Sequence, residues 1–228
     1  MNIAGLQKLT LLDFPGYTAC TIFTSGCNFR CPFCHNSDLL ERVENIIEES
    51  DFFDFLASRK GKLDGVCITG GEPLLQPDLV EFIKRIRKLG FLVKLDTNGS
   101  NYDKLNDILQ EGLVDYIAMD IKNTPEKYYL SCGVNAKIDD IKKSVELIKN
   151  CGIKHEFRTT VVKELNDISD FKDIAKWLNG CDGYYLQSYR HCDKVLKDGY
   201  TSYTEEKMKE ICKIVKENGL ESVYLRGI

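Results

Sequence analysis

The 228-residue sequence has no long apolar run, no excess of positive charge and no leader-like start. Each absence removes a class of protein. Nothing approaches the roughly 20 consecutive apolar residues that span a bilayer. The opening, "MNIAGLQKLTLLDFPG", has no basic region followed by a sustained apolar one, so no secretory leader is expected. Lys and Arg number 31 against 35 Asp and Glu, a net charge of −4, which gives no global reason to expect nucleic acid or a membrane as partner. Low-complexity tracts, internal repeats and Pro/Ser-rich linkers are missing as well. A cytoplasmic chain with reduced thiols is expected.

What remains is an ordinary globular composition, 43% hydrophobic and 29% charged, that fits one domain over residues 1–228. Short apolar strands alternate with amphipathic helices. Strands are expected at 18–24, 65–69, 91–97, 114–121, 153–162 and 183–189, with a short one in the tail "SVYLRG". Helices are expected near 46–59, 77–89, 101–111, 138–150, 168–179 and 204–218. Within 77–89, Leu79, Phe82, Ile83 and Ile86 recur at helical spacing, and Gly90 follows as a stop. Ile138, Ile141, Val145 and Ile148 repeat the pattern. This α/β alternation argues for a parallel sheet with right-handed crossovers. Six units fall short of an eightfold barrel, so an open partial barrel and a doubly wound sheet both fit.

The polar residues gather at strand ends: Ser25 and Gly26, then "TGGEP" (69–73), "DTNG" (96–99), "MDIK" (119–122), Arg158 to Thr160 and "QSYR" (187–190). In βα architectures the carboxyl ends of strands form the functional rim. Six such ends imply one shared site, facing the loop that follows the first strand.

That loop reads "CNFRCPFC", residues 27–34, with His35 and Asn36 next. The other seven of the ten cysteines are scattered and read as small buried hydrophobes, Cys67 among them. Cys27, Cys31 and Cys34 leave a metal site one ligand short. Zinc would need a fourth ligand, for which His35 is nearest, but adjacent residues rarely converge on one tetrahedral ion. An iron–sulfur cluster takes cysteine thiolates as its usual ligands. Three of them on a four-iron cube leave one iron open for chemistry.

Cys-x3-Cys-x2-Cys followed by Gly-Gly-Glu-Pro after the next strand resembles the radical S-adenosylmethionine (SAM) superfamily, over nearly the whole chain. The resemblance implies a partial (βα)6 TIM-type barrel, the radical SAM core. It also implies a 4Fe–4S cluster on Cys27, Cys31 and Cys34, and SAM at the open iron. Gly70 and Gly71 would let the backbone approach a ligand, and Glu72 would meet the SAM amino group. The plainer reading of "GGEP" is a helix entry, with Pro73 in the first turn and Glu72 favoured by the helix dipole.

The stretch "DFPGYTACTIFTSGCNFRCPFCHN" is similar to the opening of activating proteins for glycyl-radical enzymes, most closely the anaerobic ribonucleoside-triphosphate reductase type. That resemblance implies that Asp96, Thr97 and Met119 hold a monovalent cation beside the SAM carboxylate. It implies that Asp120, Lys122 and Arg158 bind SAM or line the substrate approach, and that Asp13 and Gly16 receive a glycine loop of the partner. Ordinary alternatives exist for each: a Pro-Gly turn at Asp13, a turn at Asn98-Gly99, and ion pairs for Asp120 with Lys122 and for Arg158 with Glu156. Two departures from the pattern stand out. "QSYRHC" places Arg190 before His191, so neither is assigned to SAM. Only twelve residues separate Cys34 from Ile47, so no ferredoxin-like insert is expected, and electrons would come from an external flavodoxin or ferredoxin. A compact small-molecule enzyme, similar to 7-carboxy-7-deazaguanine synthase, and a non-enzymatic iron–sulfur carrier are the competing readings.

Overall fold

Valine, isoleucine and threonine crowd the runs between turns, where β-branched side chains favour extended backbone, while the longer charged runs carry apolar residues at helical period. The computed structural model describes residues 1–41 and 47–228 and follows this division closely. Strands are β1 (Ile3–Thr10), β2 (Ala19–Thr24), β3 (Gly65–Gly70), β4 (Leu92–Thr97), β5 (Tyr116–Asp120), β6 (Lys154–Val161), β7 (Tyr184–Ser188) and β8 (Val223–Arg226). Helices are α1 (Glu49–Ala57), α2 (Leu79–Lys88), α3 (Tyr102–Gln110), α4 (Tyr128–Cys132), α5 (Ile138–Asn150), α6 (Asp170–Leu178) and α7 (Glu205–Glu217). Residue 46, at the start of the helix expected near 46–59, lies outside the described residues, as does part of the 35–46 connection.

The eight strands form one sheet in the order of the chain. Strands β2 to β8 run parallel to their neighbours, and β1 is antiparallel to β2. A doubly wound sheet reverses its strand order at a switch point. Here the order never reverses, so the six βα units from β2 to α7 curl in one direction, and the result is the partial barrel with β1 and β8 as its edges. No helix among the described residues is long and apolar enough to cross a membrane.

Two elements go beyond the sequence expectations. Strand β1 has a weak alternation, "IAGLQKLT", and two register shifts against β2; pairing with a buried neighbour, rather than its own pattern, makes it a strand. Helix α4 spans five residues, too few to show a period.

The outer face of the sheet is the core. Leu79, Phe82, Ile83 and Ile86 of α2 and Ile141, Val145 and Ile148 of α5 are buried against it, each side chain contributing about 1.5–3 kcal/mol by leaving water. The inner face is polar near the strand ends: Lys94 and Asp96 on β4, Asp120 on β5, Glu156 and Arg158 on β6. Alternation across the pleat separates the two faces.

The cysteine loop is pinned from three sides by main-chain bonds. Gly26 and Cys27 donate to the carbonyls of Leu39 and Leu40 at 2.8 and 3.0 Å, Arg30 donates to Cys132 at 2.9 Å, and Lys197 donates to Pro32 at 3.0 Å. The α4 contact depends on Gly133, whose φ is +70° and where a Cβ would stand 2.0 Å from the Arg30 carbonyl oxygen.

Gly133→Ala is expected to lower unfolding stability by roughly 2 kcal/mol or more, combining left-handed strain with displacement of Arg30. Gly112→Ala, at φ +61° with nothing within 4 Å, is the control and should cost only about 1 kcal/mol. Urea denaturation of both variants measures the difference, and equal losses would show that the contact with Arg30 carries no energy.

Candidate active site

Cys27, Cys31 and Cys34 line a cavity of about 300 Å³ at the carboxyl ends of the strands, together with Gly70, Gly71 and Glu72 from the β3 end. Asp96 and Thr97 (β4), Asp120 and Lys122 (β5) and Arg158 (β6) line the same cavity. Of the residues expected in the site, the structure thus brings eleven together. Met119 is fully buried but packs beneath the turn at Gly99, where a Cβ would meet its Cε at 2.0 Å. Asp13 and Gly16 lie at the opposite end of β2, in the turn between β1 and β2. Asp13 Oδ2 accepts the Thr21 hydroxyl at 2.6 Å there.

The loop holds its thiols in a dry setting. Cys31 is 7% exposed, and Phe29 and Phe33 beside it are buried; Phe29 packs edge-on against Tyr128. Burial pushes the Cys27 thiol up to about 11, with the Phe29 N–H pulling the other way, and pushes Cys31 up to about 12. Cys34 is raised for the same reason. The Lys122 ammonium counters the rise at all three, and is therefore the charge that favours their thiolate forms. Among the described residues, no three His, Cys, Asp or Glu side chains group as they would about a single metal ion. His35 is turned to other work: its Nε2 lies 2.6 Å from the Arg190 carbonyl, and its ring stacks on Tyr189.

The Gly-Gly-Glu turn joins two strand ends. Gly71 donates to the Thr24 carbonyl and Glu72 to the Gly26 carbonyl, both at 2.8 Å. A Cβ on Gly71 would stand 2.3 Å from that Gly26 oxygen. The glycine is thus needed where the turn meets the chain's own backbone. Glu72 is 1% exposed. Its carboxylate accepts the Thr97 hydroxyl at 2.7 Å and the Asn98 and Leu74 N–H groups at 2.7 and 3.1 Å. It fastens the β4 end to the β3 end and caps the short turn at Pro73.

The centre of the site is ionic. Arg158 donates from Nε to Asp120 Oδ1 at 2.8 Å and from Nη1 to Asp96 Oδ2 at 2.9 Å. Lys122 donates to Asp120 Oδ2 at 3.0 Å, and Lys94 pairs with Asp96 Oδ1. Burial acts against both carboxylates, but Arg158 with Lys122 holds Asp120 well below the usual range, and Arg158 with Lys94 holds Asp96 below it. Glu156, expected as a partner for Arg158, is 3.9 Å from it. That is a long ion pair; the hydrogen bonds of Glu156 come from Arg226, two at 3.0 Å, and from Tyr116 at 3.1 Å.

Comparison with known proteins agrees with this geometry. The family model of the radical SAM superfamily matches residues 21–178. The chain belongs to the radical SAM superfamily. Its cofactors are accordingly a 4Fe–4S cluster and SAM, and within the superfamily it is an enzyme of the glycyl-radical activase group. A Methanocaldococcus jannaschii protein, whose name describes a glycyl-radical enzyme activating enzyme, is 33% identical over 99% of this chain and 96% of its own length. The pyruvate formate-lyase-activating enzyme of Clostridium pasteurianum is 28% identical over 95% of this chain and 97% of its own. The crystal structure of a radical SAM methyltransferase from Sphaerobacter thermophilus shares the fold, with a TM-score of 0.76 and 15% identity over 96% of this chain and 68% of that one.

Lys94 was not foreseen, whereas Thr160 and Gln187, from strand ends expected at the rim, do line the cavity. For Lys94 a signal was available: a lysine in an apolar strand, two residues before Asp96 and so on its face.

Burial lifts the Glu72 carboxyl to about 7, against the hydrogen bonds from Thr97, Asn98 and Leu74. A raised value means that the folded chain holds the proton more tightly. Its contribution to stability is complete below about 4.5 and is lost as pH rises through about 7. Glu72→Gln cannot titrate. The stability of the cluster-free wild type relative to Glu72→Gln should therefore fall between pH 5 and 8, by on the order of 2 kcal/mol. Denaturant melts across that range measure it, and a difference independent of pH would contradict the effect of burial.

Proposed function

We propose that the chain abstracts a hydrogen atom from a backbone glycine of a partner glycyl-radical enzyme, of the anaerobic ribonucleotide reductase type. The observation that carries this reading is the single cavity shared by three thiols, the Gly-Gly-Glu turn and an ionic row at the strand ends. Similarity to a glycyl-radical activating protein over nearly the whole of both chains favours a protein substrate. The opening stretch through "CPFCHN" favours the reductase type.

The donor chemistry fits the implied cofactors. Three thiols face one cavity with no fourth cysteine beside them in the loop, which suits a cluster with one iron left for SAM. Cys27, Cys31 and Cys34 would hold the cluster, losing their protons as it binds. Gly70, Gly71 and Glu72 would hold SAM from the β3 end, and Asp120, Lys122 and Arg158 from the β5 and β6 ends, with Asp96 behind them. When bound, the cofactors supply an electron and an adenosyl radical that takes hydrogen from the substrate. The chain's own task is positioning. Phe29 and Phe33 exclude water from the thiols, Lys122 favours their charged forms, and Arg158 fixes both aspartates. Asp13 and Gly16, at the far end of β2 from the cavity, stand too far away to receive the glycine loop, and that expectation is withdrawn. One radical SAM domain, a cytoplasmic setting and reduction by an external flavodoxin or ferredoxin complete the proposal.

Anaerobic reconstitution with dithionite and SAM should yield methionine and 5′-deoxyadenosine. Cys27→Ala, Cys31→Ala and Cys34→Ala should each reduce the yield to background, and cleavage retained by any of them would refute the ligand set. Adding an anaerobic ribonucleotide reductase should produce a glycyl doublet in the EPR spectrum. Cleavage without a doublet from any glycyl-radical partner would sink the protein-substrate reading.

A further inference from the structure

Lys94 is the one lysine buried in the core among the described residues, at 1% exposure. Its ammonium is paired with Asp96 Oδ1, 3.9 Å from Cys67 Sγ and 5.8 Å from the centre of the Tyr116 ring. Arg158 Nη1 takes the other Asp96 oxygen at 2.9 Å. Both oxygens of this carboxylate are thus held by full positive charges that belong to the protein.

Of the rest of the set implied for a monovalent cation, only Thr97 carries a side-chain oxygen, and it is already hydrogen-bonded twice. The Thr97 hydroxyl donates to Glu72 Oε1 at 2.7 Å and accepts the Gly99 N–H at 3.0 Å. The Met119 side chain fills the space beneath Gly99. Hard cations bind oxygen ligands, and an ammonium and a guanidinium on those same oxygens repel them. The side chains present do not fit an alkali ion.

We propose that this enzyme works without a monovalent cation because Lys94 supplies the charge in its place. The placement follows from strand geometry. Lys94 and Asp96 are two residues apart on β4, so both point into the barrel, and a lysine stem is long enough to reach its neighbour's carboxylate. Lys94 is a positioning residue: it holds Asp96, Asp96 holds Arg158, and Arg158 holds Asp120. An ammonium tethered to the strand is present at every turnover and needs no ion from solution.

The test has two readouts, so that it is separable from the radical SAM reading on which it rests. Reconstituted enzyme is assayed for SAM cleavage in choline chloride, sodium chloride and potassium chloride at constant ionic strength. The cluster-free chain is titrated in parallel with thallium(I), a potassium mimic, by thallium NMR. The wild type should cleave SAM at rates within about twofold in all three salts and bind no thallium. Lys94→Met should be slowed roughly tenfold in choline chloride, recover in potassium chloride and bind thallium. Lys94→Arg should remain indifferent to the salt. A wild type that loses roughly tenfold in choline chloride, or that binds thallium in a manner abolished by Asp96→Asn, overturns the proposal. A folded Lys94→Met that ignores potassium overturns it as well. Should Lys94→Met fail to fold, the wild-type arms still decide; should no cleavage occur in any salt, the thallium titration does.

Discussion

The carboxyl ends of β4, β5 and β6 are tied together by one row of buried charge: Lys94, Asp96, Arg158, Asp120 and Lys122. Each charge has a partner of opposite sign on either side, apart from the two lysines that end the row. Buried ion pairs seldom stabilise a fold more than apolar residues of the same size would, yet removing one member leaves its partner uncompensated, at about 3–5 kcal/mol. The row is therefore a constraint more than a source of stability. It fixes where three strand ends stand relative to one another.

That constraint has an electrostatic consequence at the cysteine loop. Lys122, one of the two lysines that end the row, is paired with Asp120 and lines the cavity with the thiols. Burial alone would keep Cys27, Cys31 and Cys34 protonated; Lys122 is the opposing influence common to all three. A dry site that must accept thiolates needs such a charge, and the ionic row holds it in place through Asp120.

Main-chain contacts do the remaining positioning. The Gly-Gly-Glu turn lies so close to Gly26 that no side chain fits at Gly71, and Glu72 carries the connection on to Thr97 and Asn98. The end of β2 with its cysteine loop, the end of β3 and the end of β4 thus form one continuous hydrogen-bonded rim. Helix α4 and the segment at Lys197 close on the loop from outside. The scaffold holds the loop from several directions, which is what a site built on loops requires.

Much of this was legible beforehand, because it is local. Helix and strand are encoded in apolar period, the donor set in the spacing of Cys27, Cys31 and Cys34, and the shared rim in polar residues at six strand ends. The same-face placement of Asp120 with Lys122 follows from alternation alone. What the sequence could not settle was which charge meets which. Arg158 keeps a long ion pair with Glu156 two residues away, but its hydrogen bonds reach to Asp120 and Asp96, 38 and 62 positions earlier. Nor could it show that Glu72 turns its carboxylate toward the chain's own backbone, or that β1 completes the sheet despite a weak pattern. The sequence by itself determined the elements, the ligands and the rim, since period and spacing act over a few residues. Only the tertiary structure decided the pairing of the buried charges, because the curl of a parallel sheet brings together side chains from strands far apart in the chain.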